Sequence, residues 1–219
     1  MAREARSVGR PPRLTVEAII AAADRVLEAE GADKLSMRRL ATELGSAPMA
    51  LYHHVRDKDQ LLLLVMEAHA RQMPRPELPQ DPRERLLETA VLLYELLSER
   101  SWIVEVLTGD DLIGPSALWV VDEMLGAAIE YGCTPERAVF VYRTIWFYIV
   151  GNLMIRVNSA RRRARSGEPA YQYGVIAELS ADTHPYLASV ADRWSEFNTL
   201  DSYREGLSAV VDGLLPARP

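Results

Sequence analysis

The sequence predicts an all-α chain, and three observations carry that prediction. Apolar residues recur at three- and four-residue spacing in one segment after another. Residues that cap helices stand before those segments, and glycine or proline stands after them. The sequence shows no sustained alternation of β-branched residues, no hairpin turn signal and no internal repeat of fixed period. The expected architecture is a three-helix N-terminal head, a connecting fourth helix and a larger helical body.

Each element has its own signal. Thr15 can cap a first helix, with Val16, Ile19, Ile20, Ala23, Val26 and Leu27 on one stripe and Gly31 at its end. Ser36 can cap a short second helix that carries Leu40, Ala41 and Leu44 and stops at Gly45. Ser46 can cap a third, with Pro48 in its first turn, where a missing N–H costs little. Asp57 can cap a fourth, and Gln60 completes a capping box; this leucine-rich helix is expected to run to about Met73. The four prolines of "PRPELPQDP", residues 74–82, mark the best linker. Helical spacing then occupies residues 83–99, 102–108, 115–131, 135–163, 185–197 and 200–215, with a weaker stretch at 166–183.

Composition narrows the classes. With 219 residues, 48% of them apolar, the chain can bury a substantial core. Its one cysteine, Cys133, permits no intrachain disulfide and fits a reducing compartment. The basic N-terminus lacks the apolar segment of a secretory signal. The longest apolar stretch, Thr144 to Ile155, falls short of the roughly 20 residues that span a bilayer. A soluble, cytoplasmic protein with no membrane partner is expected.

The net charge of −6 hides an asymmetry. Residues 1–58 hold ten Arg and Lys against eight Asp and Glu, a balance of +2. Residues 59–219 hold fifteen against twenty-three, a balance of −8, and the two sum to −6. Arg3, Arg6, Arg10 and Arg13 make residues 1–13 a basic arm, with two readings open: a disordered tail, or an arm that adds phosphate or minor-groove contacts.

The second and third helices are where chemistry concentrates. With Leu51 at the buried centre of the third helix, Val55 joins it inside at 100° per residue. Met49, Tyr52, His53 and Arg56 then point outward, with Ala50 and His54 at the flanks. A bracing helix followed at once by a presenting helix is a helix-turn-helix, and a presenting helix of this size fits the major groove of B-DNA. There Ala50 and Met49 can touch a thymine methyl, Tyr52 and His54 can bond phosphate oxygens, and Arg38 can reach a guanine edge. Lys58 opens the fourth helix, where free backbone N–H groups already favour a phosphate. Ser36, Ser46, Ala47, Pro48 and His53 complete the candidate DNA-facing set.

Residues 14–62, "LTVEAIIAAADRVLEAEGADKLSMRRLATELGSAPMALYHHVRDKDQLL", resemble the DNA-binding head of the tetracycline-repressor (TetR) family of bacterial transcription regulators. The "RRLATELG", "LYHHV" and "RDKDQLL" pieces carry the resemblance. It implies a recognition helix at about Ala47–His54, phosphate contacts from Tyr52 and Lys58, and base reading by Arg38. It also implies that residues 14–58 bind DNA, while residues 59–219 form a connecting helix and a bundle that binds a small molecule and dimerises. The expected function is then a one-component regulator, a repressor released from a palindromic operator when ligand binds. Its expected partners are operator DNA, an unidentified small molecule and a second copy of itself, with no cofactor and no catalytic residue. "VEVLTGDDL" holds no histidine for a drug–magnesium complex, so the resemblance does not extend to tetracycline as ligand.

In the body, Tyr94, Trp102, Val106, Trp119, Tyr142 and Trp146 are the candidate pocket residues, being polar-tipped aromatics and an apolar neighbour suited to a flat or greasy ligand. "VFVYRTIWFYIVGNLMIRV", residues 139–157, is apolar nearly all round, so one side is expected on the core and another on a partner subunit. Arg143 within it calls for a carboxylate of the fold or an anionic ligand. "RRRAR", residues 161–165, reads as a solvated helix end whose cations complement the dipole. The four histidines form no ligand spacing, so no metal site is expected. Two other readings stay open: a small helical enzyme using Asp110, Asp111 and a nearby histidine as acid–base groups, and a ligand-sequestering module without DNA binding.

Overall fold

The computed structural model describes residues 14–109, 112–166 and 171–217, and every regular element among them is helical. The basic arm and the Asp110–Asp111 pair lie outside the described residues. In chain order come α1 (Val16–Glu30), α2 (Met37–Glu43), α3 (Pro48–Tyr52), α4 (Lys58–Ala70), α5 (Pro82–Glu99) and α6 (Ser101–Gly109). They are followed by α7 (Leu118–Tyr131), α8 (Pro135–Ser166), α9 (Tyr171–Ala177), α10 (Pro185–Ala188), α11 (Trp194–Phe197) and α12 (Tyr203–Leu214). The chain divides into two compact units: residues up to Arg75 with Trp102–Trp119, and Pro76–Ser101 with the chain from Val120 on.

Local chemistry builds the first unit. The Thr15 hydroxyl accepts from the Ala18 N–H at 3.2 Å, and Gly31, at φ +84°, closes α1 by donating to the Leu27 carbonyl. Asp57 caps α4 by accepting from the Gln60 N–H at 2.8 Å. The Gln60 side chain reaches back to the Arg56 N–H at 2.6 Å, one residue before the position a capping box uses. Ile19, Ala23, Leu27, Leu40, Leu51, Leu61 and Val65 form the centre of a core to which α6 adds Trp102 and Val106. The head core therefore takes in α4 and α6 as well as the first three helices, because three short helices alone enclose little volume.

In the second unit, α8 lays Ala138, Val141, Ile145, Ile149 and Leu153 on one buried stripe, and α5 and α12 pack against it. Arg83 of α5 holds Asp212 of α12 through two hydrogen bonds, at 2.6 and 2.8 Å, and Ser208 through a third at 2.8 Å. Gly206 lets α12 approach α8: a Cβ there would stand 1.9 Å from the Tyr148 hydroxyl.

Two expectations need correction. The helix expected over 185–197 is broken into α10, a 3-10 turn and α11, and none of these pieces has a buried residue. With none of its apolar residues buried, nothing offsets the cost of a longer helix. The apolar run also understated α8, whose Pro135–Arg165 span has a window of mean hydropathy 1.5 and, by length and composition alone, could cross a membrane. Arg143 and Arg156 bound the run of apolar letters without ending the helix.

Candidate nucleic-acid interface

The turn between α2 and α3 is a glycine-closed helix end. Gly45 sits in the left-handed region at φ +60°, where an L side chain is strained. The Gly45 N–H donates to the Thr42 carbonyl at 3.1 Å and the Ser46 N–H to the Ala41 carbonyl at 2.9 Å, the two bonds of a Schellman motif. Ser46 is thus committed to closing α2. The cap position of α3 is Ala47, and the Ser46 hydroxyl is buried with no partner among the described residues, which corrects the expected Ser46 cap. Pro48 opens α3 as predicted.

This turn fixes which side of α3 faces out. Leu51 and Val55 are fully buried, whereas Met49 is 71% and Tyr52 49% exposed. His53, His54, Ala47 and Pro48 are exposed and Ala50 is half-buried. The outward face is short, weakly polar and carries no carboxylate of its own. On α2, Ser36 accepts from the Arg39 N–H at 3.2 Å, and Arg39 clasps Glu30 of α1 with both ends of its guanidinium. That pairing raises the Arg39 pKa and holds the Glu30 carboxyl below its ordinary value. Arg38, next door, is exposed and has no ion pair among the described residues.

Lys58 is not simply solvated. Its ammonium donates to the Ala32 carbonyl at 2.8 Å, tying the start of α4 to the turn after α1, and two of its three N–H bonds remain. Across α1, Glu17 has its pKa lowered by its own backbone N–H and the Thr15 hydroxyl, with the nearby His54 adding to the effect.

The structure also assembles groups that sequence reasoning missed. His69 Nε2 lies 2.7 Å from Asp24 Oδ1, and the Trp102 indole donates to Glu28 at 3.1 Å. Ligand atoms of Asp24, Glu28 and His69 fall within 4.8 Å of one another, a convergence the histidine spacing alone could not reveal. Glu67 of α4 accepts from the backbone and hydroxyl of Ser116, which lowers its pKa. Partners in these pairs are 45, 74 and 49 residues apart, so no local pattern announces them.

The candidate pocket residues divide between the two units. Trp102 and Val106 lie in the core of the first. Trp119 also belongs to it, with Arg75 over its ring at 5.1 Å and its indole N–H buried without a partner among the described residues. Tyr142 and Trp146 are half-buried on α8, and burial pushes the Tyr142 hydroxyl pKa up. Tyr94 is buried on α5, donates to Asn152 at 2.8 Å and accepts from Arg156 at 2.6 Å. A cavity of about 750 Å³ in the second unit is bounded by the end of α5, the C-terminal half of α8, α9 and residues 198–203, and none of the six lines it. Arg143 does not meet a carboxylate among the described residues; it is exposed and lies over Phe147 at 5.5 Å. A ring face and solvent suffice for a cation at an exposed position.

Comparison with known proteins identifies this arrangement. Residues 19–65 match the family model for bacterial regulatory proteins of the tetR family, and residues 75–217 match the tetracyclin repressor-like C-terminal domain. The chain belongs to the TetR family. It is accordingly a DNA-binding transcription regulator of a family whose members are soluble proteins and not enzymes. It is similar to the HTH-type transcriptional repressor DrrR1 of Streptomyces coeruleorubidus, at 28% identity over 95% of this chain and 80% of that one. Its identity to the class A tetracycline repressor protein of transposon 1721 from Escherichia coli is 27%, over 94% of this chain and 93% of the other. ActR of Streptomyces coelicolor, solved in complex with actinorhodin, superposes with a TM-score of 0.74 at 28% identity, covering 93% of this chain and 96% of that one.

Proposed function

We propose that this regulator is a cytoplasmic homodimeric repressor. Each protomer lays α3 into a major groove of a roughly palindromic operator and lets go when a small molecule occupies the C-terminal region. The observation that carries the reading is the outward face of α3, where Met49, Tyr52 and His53 stand over a fully buried Leu51 and Val55. Ala50 and Met49 meet base edges, Tyr52, His54 and Lys58 hold phosphates, and Arg38 reads a guanine from α2, with Ser36, Ser46, Ala47 and Pro48 at the rim. The remaining N–H groups of Lys58 suit a phosphate while its bond to Ala32 fixes where the ammonium stands.

A second copy is supported by α8. Phe140 and Phe147 are exposed there on the side opposite the buried stripe, with Val139 and Ile155 exposed on its two flanks. An exposed apolar surface of this extent is covered in most proteins, and a two-fold contact sets two heads at a fixed spacing for two half-sites. Control by a small molecule is supported by the solved complex of ActR with actinorhodin. A ligand acts by favouring one of two head spacings, and its effect cannot exceed its differential affinity for the two states.

The test is a titration of the protein into labelled DNA from immediately upstream of its own gene, at two salt concentrations, beside a scrambled duplex. Binding of the native fragment alone that persists at the higher salt supports the reading. Equal, salt-sensitive binding to both duplexes would leave only non-specific affinity for this DNA and count against an operator there.

A further inference from the structure

Asp24, Glu28 and His69 bring their ligand atoms within 4.8 Å of one another, and nothing in the reading of α3 as the DNA-facing helix uses them. Asp24 and Glu28 stand four residues apart on α1, so both carboxylates fall on one face of that helix. His69 reaches the same face from the last turn of α4. All three belong to the first compact unit. One imidazole nitrogen with two carboxylates is a donor set suited to a borderline divalent ion such as zinc. Magnesium, which takes oxygen ligands in a strict octahedron, suits it poorly.

The distances fit a cation. His69 Nε2 is 2.7 Å from Asp24 Oδ1, and the Glu28 carboxylate completes the group. Tetrahedral zinc, with bonds of about 2.0–2.1 Å, sets its ligand atoms about 3.3 Å apart. The His69–Asp24 pair therefore opens by about half an ångström while Glu28 closes in, adjustments that side-chain torsions supply. His69 and Asp24 are partly screened, with side chains 20% and 34% exposed, and Glu28 is on the open side, where a water can be the fourth ligand. Behind the cluster lies Trp102, which is buried. Its indole donates to Glu28 at 3.1 Å, and its ring lies 6.1 Å from that of His69, tilted by 59°. Hydrogen bonds of this kind orient metal-bound carboxylates. A carboxylate has about four lone-pair sites, so Glu28 can keep its other contacts and still ligate.

We propose that Asp24, Glu28 and His69 bind a first-row divalent transition metal, with zinc the best-fitting ion, and that the metal braces the head by joining α1 to α4. It takes the place of the proton between His69 Nε2 and Asp24 Oδ1. The two helices already share one apolar core, and the metal pins the polar edge of that contact. This role is independent of what the C-terminal region binds.

Zinc chloride titrated by calorimetry into the full chain, in a buffer without chelators, tests the site, with magnesium chloride as control. One zinc per chain is expected, together with a melting temperature that rises with zinc concentration. Magnesium should give neither. H69Q, which leaves an amide to donate to Asp24, and E28Q should each weaken zinc by at least about tenfold and shrink the melting rise. H184Q, which removes an exposed histidine of the other unit, should leave both unchanged. Melting without zinc shows whether each variant is folded. E28Q carries the test if H69Q is not, because Glu28 lies at the exposed edge of the cluster. Absence of zinc binding overturns the proposal. So does zinc binding that survives both substitutions or is lost in H184Q, since the metal would then sit elsewhere on the surface.

Discussion

Helices α3 and α8 both hold large apolar side chains in solvent, yet their surroundings differ. On α3 the exposed Met49 and Tyr52 occupy little more than one turn, flanked by two histidines and an exposed Arg38 with no ion pair among the described residues. On α8 the exposed Val139, Phe140, Phe147 and Ile155 run over four turns, with Arg137 and Arg143 lying on Phe140 and Phe147. A short apolar patch with polar edges suits a groove whose base edges are mostly polar. A long surface with its cations folded onto rings suits another apolar surface. Exposure of apolar surface alone therefore does not name a partner; its length and its polar frame do.

The largest effect is expected on α8. Phe147→Glu should place like charges across a two-fold contact and separate the protomers. Operator affinity should then fall by roughly 10²–10⁴-fold, the advantage of two linked heads over one. Sedimentation and a DNA titration read the two effects, and an intact dimer binding DNA normally would remove α8 from the interface. Leu51→Ala strikes beneath α3 instead. A fully buried leucine should cost about 2–5 kcal/mol of stability, read as a lower urea midpoint, with all DNA binding lost in parallel.

Finer changes sharpen the α3 side. Arg38→Ala should relax preference at one operator position by about 1–3 kcal/mol, whereas Lys58→Ala should weaken every sequence alike and flatten the salt slope by about one. A binding selection at two salt concentrations distinguishes them, and an unchanged profile for Arg38→Ala would assign base reading elsewhere. The smallest effect is expected from the Arg83–Asp212 clasp. Arg83 depresses the Asp212 pKa below its ordinary 3.8, so the clasp adds stability above that value and loses it as pH falls through the lower folded-state value. Asp212→Asn should flatten that acid limb of the melting curve slightly, and a limb unchanged in the variant would assign it to other carboxylates.

Most of the head was legible because its determinants are local. Thr15, Ser36, Gly45 and Asp57 each act on residues within five positions, so a reader of the sequence sees both partners at once. Ser46 was misread because one serine can close the helix before it or cap the one after, and only backbone geometry decides. The body was less legible. Trp102 and Val106 carry the spacing of pocket residues, yet they complete the head core, a pairing made across more than thirty residues of intervening chain. "RRRAR" shows its charge in the sequence, but nothing there tells that residues 198–203 return to enclose three of its arginines.

The placement of α6 has a consequence in time. Trp102 and Val106 belong to the core that α1 to α4 build, while residues 76–101 pack in the other unit. During synthesis, the first 75 residues emerge with all their helix signals but with a core that lacks Trp102 and Val106. The head therefore waits, part-formed, until the ribosome has delivered a stretch of the body and then α6. A nascent chain arrested before residue 102 should be digested by protease in its first 75 residues, and one arrested well beyond residue 119 should resist.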